Sequence, residues 1–392
     1  MSVLSRRARF PRSERVVKNP FTWYMPRFWH GMRISTWLRE LARNRFAVSP
    51  SRVPMTCSIA GFALVNSALA LVDRAVYSRK VERVDIAQPP LFILGHWRAG
   101  TTFLHELLIR DPAHTYATTY QCFAPHHFVL TERWFTPWSE FLLPSRRPMD
   151  NMVTGWQRPQ EDEFALQNLG VPTPYLSVLF PNRGEAYPEY LTLRDLPEEA
   201  RRDWKRQLQQ FFKRIALTDP RRLVIKSPAH TARVRTLLEL FPDAKFIHLS
   251  RHPYELYSST MMLWRSLNEV QGLQAVDDDA WVSDWVIDSL RRMYDAYLED
   301  RTLLADDQLI ELRYEDLSQD PKAFVRDIYE RLQLGDFAPI EAPLDAHLAD
   351  VKSYRANRHA LDDASRELVE REWGPYFAEF GYEIAMAGVR ES

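Results

Sequence analysis

Four consecutive apolar residues, Leu91-Phe92-Ile93-Leu94, run straight into Gly95-His96-Trp97-Arg98-Ala99-Gly100-Thr101-Thr102. Phe103, Leu104, Leu107 and Leu108 then recur at helical spacing until Asp111-Pro112. A short apolar run without polar alternation suits a strand buried on both faces, as in parallel sheets covered by helices. The rhythm returns further on. Leu223 to Ile225 reads as a strand, Thr231 to Leu240 as a helix, Phe241-Pro242-Asp243 as a turn and Lys245 to Leu249 as a strand. A helix follows Pro253 through Leu256, Tyr257 and Met261. Leu309 to Arg313 reads as another strand, and Pro321 opens a helix with Phe324, Val325, Ile328 and Leu332 on one face. The alternation predicts an α/β fold, with a ligand at the carboxyl ends of the strands. Between these units, residues 113–220 are rich in Pro and aromatics and read as irregular, a segment long enough to be a lid or binding loop.

The loop 95–102 has the makings of a phosphate cradle. Glycines let backbone amides converge, and the helix that follows turns its partially positive end toward an anion. The expected sheet is therefore P-loop-like. A magnesium-dependent nucleotide kinase or hydrolase would carry Lys directly after the second Gly, then Ser or Thr for the metal. Here Thr101 stands in the lysine position and the cation comes earlier, as Arg98. The strand at 245–249 runs into Ser250-Arg251 rather than a metal-binding Asp, so the site is read as one for a phosphate ester without a metal. Arg251, at a strand end, and Ser259, eight residues on in the next helix, can grip a terminal phosphate from two directions.

Together these residues resemble the sulfotransferase superfamily. Arg98-Ala99-Gly100-Thr101-Thr102 is similar to its 5′-phosphosulfate loop, and Arg251 with Ser259 to its 3′-phosphate motif. Arg313-Tyr314-Glu315-Asp316-Leu317 with Asp320-Pro321 is similar to a third landmark, the three occurring in family order over about residues 90–335. The Gly-His-Trp-Arg loop and Gln160-Glu161-Asp162-Glu163-Phe164 look like a bacterial branch. The resemblance implies sulfuryl transfer from 3′-phosphoadenosine 5′-phosphosulfate to the hydroxyl of a small-molecule or lipid-like acceptor. It also implies donor contacts from Arg98, Ala99, Gly100, Thr101, Thr102, Arg251 and Ser259, and a second active-site cation at Lys226. The rival readings are the kinase or hydrolase above and a catalytically silent nucleotide-binding protein.

A base must reach the acceptor hydroxyl, and Glu or His are the usual types. Golgi-type relatives place Glu after the second strand, but Tyr116 to Gln121 offers no carboxylate. The candidates are Glu163 first, then Glu161, with His126 and His127 behind them; the acids could instead merely start a helix near Phe164. Lys352, Arg355, Arg358 and His359 form a late basic cluster, from which Arg355 is a further candidate for the 3′-phosphate. Neither His126-His127 nor His105-Glu106 has metal-ligand spacing.

Charge divides the chain. Residues 1–50 carry a net +9, and the remainder −10. With a total of −1, a bulk nucleic-acid partner is not expected. Aromatics interleave the basic stretch, and Val53 to Val72 contains no charge at all, though Pro54, Gly61, Asn66 and Ser67 make it a poor membrane span. Residues 1–85 are thus expected to be a basic, aromatic-rich helical extension before a catalytic domain at 86–392. Three placements stay open for residues 53–72, buried in the fold, lying on a membrane surface or spanning it, and a surface contact would run through residues 20–72. Two cysteines, Cys57 and Cys122, form no disulfide framework, so a cytoplasmic setting is expected, free or peripheral on the membrane.

Overall fold

The computed structural model describes residues 17, 19, 21–22, 25–146, 152–277, 279–351 and 361–384. Among them, Leu91–Leu94 (β1) is the central strand of a parallel sheet completed by His114–Thr115 (β2), Arg222–Lys226 (β3), Lys245–Ser250 (β4) and Leu309–Arg313 (β5), in the order β2-β3-β1-β4-β5. Strand β1 is buried throughout, which is why it shows no polar alternation. Its side chains part to two cores: Phe92 and Leu94 join Leu223, Ile225 and Phe246 on one face, while Leu91 and Ile93 join Val224, Ile247 and Ile310 on the other.

Fourteen helices are described: α1 (Ile34–Arg43), α2 (Val53–Glu82), α3 (Thr101–Leu108), α4 (Thr119–Phe123), α5 (Phe128–Phe135), α6 (Asp162–Leu169) and α7 (Glu198–Thr218). They continue with α8 (Val234–Leu240), α9 (Pro253–Gln271), α10 (Ala280–Asp300), α11 (Tyr314–Gln319), α12 (Pro321–Arg331), α13 (Ala338–Val351) and α14 (Asp363–Glu379). Leu104 and Leu107 of α3 and Phe324, Val325 and Ile328 of α12 cover the Leu91 face. The larger core on the Phe92 face takes α7, α9, α10 and α14, and also Trp29, Trp37, Ile59 and Ala63 from the N-terminal segment.

The described residues of 113–220 are irregular only in part, contrary to the expectation. They contain β2, α4 to α6 and the 21-residue α7, whose Trp204, Leu208, Phe211 and Ile215 recur every three or four residues and are buried. Strand β2 pairs only through His114 with Arg222 and Thr115 with Leu223, too short a run to show in sequence.

The chain leaves β1 for one side of the sheet, returns through β3, and crosses to β4 on the other side. The strand order therefore reverses at β1. The crevice above such a reversal is where open α/β sheets bind ligands, and three connections meet there: Gly95–Gly100, the segment from Lys226, and the turn at Ser250-Arg251.

Candidate active site

The loop after β1 is held in a conformation that few residues adopt. Gly95, Arg98 and Gly100 all have positive φ, at 142°, 70° and 95°. At Gly100 a β-carbon would lie 2.2 Å from the Tyr314 ring, so this position needs glycine for space as well as for its backbone angle. Helix α3 begins at Thr101 with Gly100 as its N-cap, which leaves the amides of Thr101 and Thr102 in its first turn, pointing out of the helix. The non-glycine Arg98 is fixed from two sides: its Nε donates to Ser259 Oγ at 2.9 Å, and its carbonyl accepts from Arg251 at 2.9 Å. Thr260 donates to the Trp97 carbonyl at 3.1 Å, and Thr231 accepts from the Gly95 amide at 2.8 Å.

Arg251 has a built seat. Its guanidinium lies 4.5 Å from the centre of the Tyr314 ring, pairs with Glu255 at 2.6 Å, and its amide donates to the Tyr376 hydroxyl. Arg98 and the distant Arg251 and Ser259 therefore form one cluster beside the N-terminus of α3. Two guanidinium groups, a hydroxyl and a helix N-terminus make a donor set suited to a molecule with two phosphoryl-type anions. The buried Ser227 hydroxyl, next to Lys226, has no hydrogen-bond partner among the described residues.

The three acids at 161–163 fan out to three partners, Lys226, His230 and Arg233, along one stretch of chain. Glu161 meets Lys226 at 2.6 Å, Asp162 meets His230 at 2.8 Å, and Glu163 meets Arg233 at 2.6 and 3.0 Å. Burial separates their roles. Glu163 is wholly buried, and both its oxygens face an Arg233 that also donates to the Tyr190 and Leu191 carbonyls. Glu163, the first candidate for the base, thus lies in a sealed ion pair with Arg233. Glu161 occupies the N-cap position of α6, but its carboxylate turns away to Lys226 and to Tyr175, and its side chain keeps 13% exposure. His126 and His127 are spent elsewhere, on the Asn168 carbonyl and on Thr131 and Asn66.

Tyr175 was not anticipated. Its hydroxyl accepts from Trp97 Nε1 at 2.7 Å and donates to Glu161 at 2.6 Å, so the phosphate loop and the carboxylate are joined through one phenol. Burial, with the Glu161 charge beside it, holds this phenol well above the usual tyrosine range, and it stays a donor. No periodicity or motif marks Tyr175 in the sequence; it comes from a one-turn 3-10 segment at Pro174–Val178. Ala99 sits in the loop, whereas Thr101 and Thr102, read as loop in the sequence, already form the first turn of α3. Arg355, with Lys352, Arg358 and His359, lies outside the described residues.

Several known proteins are similar to this chain. Over most of its length the chain is 42% identical to an omega-hydroxy-beta-dihydromenaquinone-9 sulfotransferase, Stf3, of Mycobacterium bovis, covering 92% of each, and equally to that of Mycobacterium tuberculosis. Among solved structures, sulfotransferase STF9 from Mycobacterium avium shares the fold with a TM-score of 0.65 at 21% identity, over 86% of this chain and 88% of that one. Sulfotransferase STF1 from Mycobacterium tuberculosis does so with a TM-score of 0.59 at 19% identity, over 87% and 90%. Residues 89–339 match the sequence profile described as the Sulfotransferase family. That match, falling on the segment that builds the loop, the Lys226 strand and the Arg251 turn, decides between the enzyme classes left open by the motifs: the chain belongs to the sulfotransferase family, and its reaction is sulfuryl transfer.

Proposed function

We propose that the donor is 3′-phosphoadenosine 5′-phosphosulfate and the acceptor a lipid-like alcohol, with Glu161 as the catalytic base. The observation that carries this reading is the meeting of Glu161 and Lys226 at 2.6 Å at the carboxyl edge of the sheet, next to the phosphate loop. In the proposed roles, the first-turn amides of α3 and the hydroxyls of Thr101 and Thr102 hold the 5′-phosphate, and Arg251 with Ser259 holds the 3′-phosphate. Arg98 and Lys226 neutralise charge that develops on the bridging oxygen. Glu161 takes the proton of the acceptor hydroxyl as the new oxygen–sulfur bond forms and the bond from sulfur to the 5′-phosphate breaks, leaving adenosine 3′,5′-bisphosphate. Such transfer depends on in-line placement and charge stabilisation more than on covalent help. Residues 113–220, which contribute Glu161 and Tyr175, serve as the acceptor-side wall. The lipid-like acceptor follows from the name of the 42% identical relative, whose substrate is an omega-hydroxylated menaquinone. The two free cysteines, Cys57 and Cys122, fit a cytoplasmic site of action.

Substitution of the base tests the assignment. Glu161→Gln is expected to lower turnover on an omega-hydroxylated quinone by about 100- to 10,000-fold, with calorimetric binding of adenosine 3′,5′-bisphosphate within about twofold of the parent. Turnover near the parent value would remove Glu161 from the reaction. Arg251→Ala should weaken nucleotide binding at least about tenfold, as loss of a charge-assisted contact to phosphate requires. No metal takes part in this scheme, so a chelator should leave turnover unchanged.

A further inference from the structure

Helix α2 presents an apolar face outward. Over its 30 residues the inward stripe is Ile59, Ala63, Asn66, Asp73 and Val81. The opposite stripe, one helical face by 3.6-residue spacing, is Val53, Cys57, Gly61, Leu64, Val65, Ala68, Leu71, Val72 and Val76. Leu64, Val65, Leu71, Val72 and Val76 are each at least half exposed, with Leu71 at 71%. From Val53 to Val76 this uncharged ridge is about 36 Å long at 1.5 Å per residue. Only 17% of the helix's most apolar window is buried. A ridge of this length on a folded domain marks an interaction surface.

We propose that this ridge seats the enzyme flat on the surface of an anionic membrane. Charge complementarity selects the partner. Residues 43–83 carry seven basic side chains against two acidic ones, with Arg43, Arg45 and Arg52 before the ridge and Arg74, Arg79, Lys80 and Arg83 at its end. One of the two acids, Asp73, is on the inward stripe and paired with Arg214 at 2.5 Å. An apolar ridge closed at both ends by basic residues matches an acyl surface beneath anionic headgroups. The helix lies on the bilayer and does not cross it, because its inward stripe is fastened to the domain along its length. Asn66 donates to the His30 and Met32 carbonyls, Ser67 accepts from the Ile34 amide, and Arg214 holds Asp73. Helix α5 joins α2 through His127 and Asn66, and it and the turns after it expose Trp134, Trp138 and Phe141, aromatic types favoured at membrane interfaces. This surface is independent of the donor and acceptor assigned above.

Flotation of the full-length protein with vesicles tests it. The parent is expected to float with phosphatidylglycerol–phosphatidylcholine vesicles, less with phosphatidylcholine alone, and less again as salt is raised. The double substitution Leu64→Glu and Leu71→Glu, at exposed positions, should cut vesicle binding at least about tenfold, leaving the thermal melt and nucleotide binding unchanged. The proposal is overturned if the parent does not float or the double variant floats equally well. It is also overturned if the protein resists carbonate extraction as a spanning helix would, or if the parent is a dimer that the two glutamates dissociate without any vesicle binding.

Discussion

Because Tyr175 accepts from Trp97, its single proton is left for Glu161, and the direction of this short chain is fixed. Lys226 and Tyr175 then hold the two carboxylate oxygens separately, each oxygen retaining a lone pair for an acceptor hydroxyl. Tyr175 is thus a positioning residue for the proposed base, set by a side chain of the phosphate loop. Tyr175→Phe removes one donor to the carboxylate, a contact to a charged group, and is expected to lower kcat about tenfold or more. The loss should fall on kcat, with KM and nucleotide affinity near the parent values. An unchanged kcat with a lowered thermal midpoint would reduce Tyr175 to packing. The sequence places Glu163 ahead of Glu161 as the base on no local difference that bears on access. Two residues apart, they share composition and neighbours, and only the position of Arg233 separates a sealed ion pair from an accessible carboxylate.

At the scale of elements, the proposed chemistry depends on how α3 and α6 begin. Gly100 precedes α3 at φ 95° with Tyr314 packed over it, and Tyr314 in turn stacks on Arg251. Gly100→Ala would force a left-handed angle costing about 1–2 kcal/mol on a residue with a β-carbon, and would push the Tyr314 ring off Arg251. A lowered urea midpoint together with weakened binding of adenosine 3′,5′-bisphosphate is expected; binding equal to the parent would mean that the Tyr314–Arg251 contact does not prepare the nucleotide site. Helix α6 starts with Glu161, Asp162 and Glu163 clamped to Lys226, His230 and Arg233, stitching it to the end of β3. The strand–loop–helix units were legible because buried parallel strands leave continuous apolar runs and their loops carry glycine. Strand β2 was not, because two residues carry no period, whereas the α7 pattern was present and lay hidden in a Pro- and aromatic-rich stretch.

Across the whole molecule, four buried histidines set an acid limit. Burial, the largest cause in each case, holds His96 and His248 down at about 3, and His30 and His127 at about 4, the latter two beside Arg27 and Arg214. Their unfolded values lie near 6.5, so as pH falls the unfolded chain takes up protons that the folded one refuses. The resulting stability is present in full above pH 6.5 and is lost as pH falls toward these depressed values, by roughly 1.4 kcal/mol per histidine at about pH 5.5. Thermal melts should show Tm dropping from pH 7.5 to pH 5.5, with His96→Gln or His248→Gln variants showing a shallower drop; a flat profile would contradict the burial.

The chain by itself determined the alternating sheet and the glycine-bearing loop after its first strand, because these rest on local backbone geometry and on side-chain types at short spacing. It also fixed the uncharged stretch at 53–72, but not whether that stretch is buried, since a helix apolar on both sides has no preferred face until something packs on one of them. Only the tertiary structure brought Trp97, Tyr175, Glu161 and Lys226 together. Those four residues come from segments up to 129 positions apart (97 to 226). Long-range contacts of that kind are set by how helices settle on the two faces of the sheet, which no local pattern encodes.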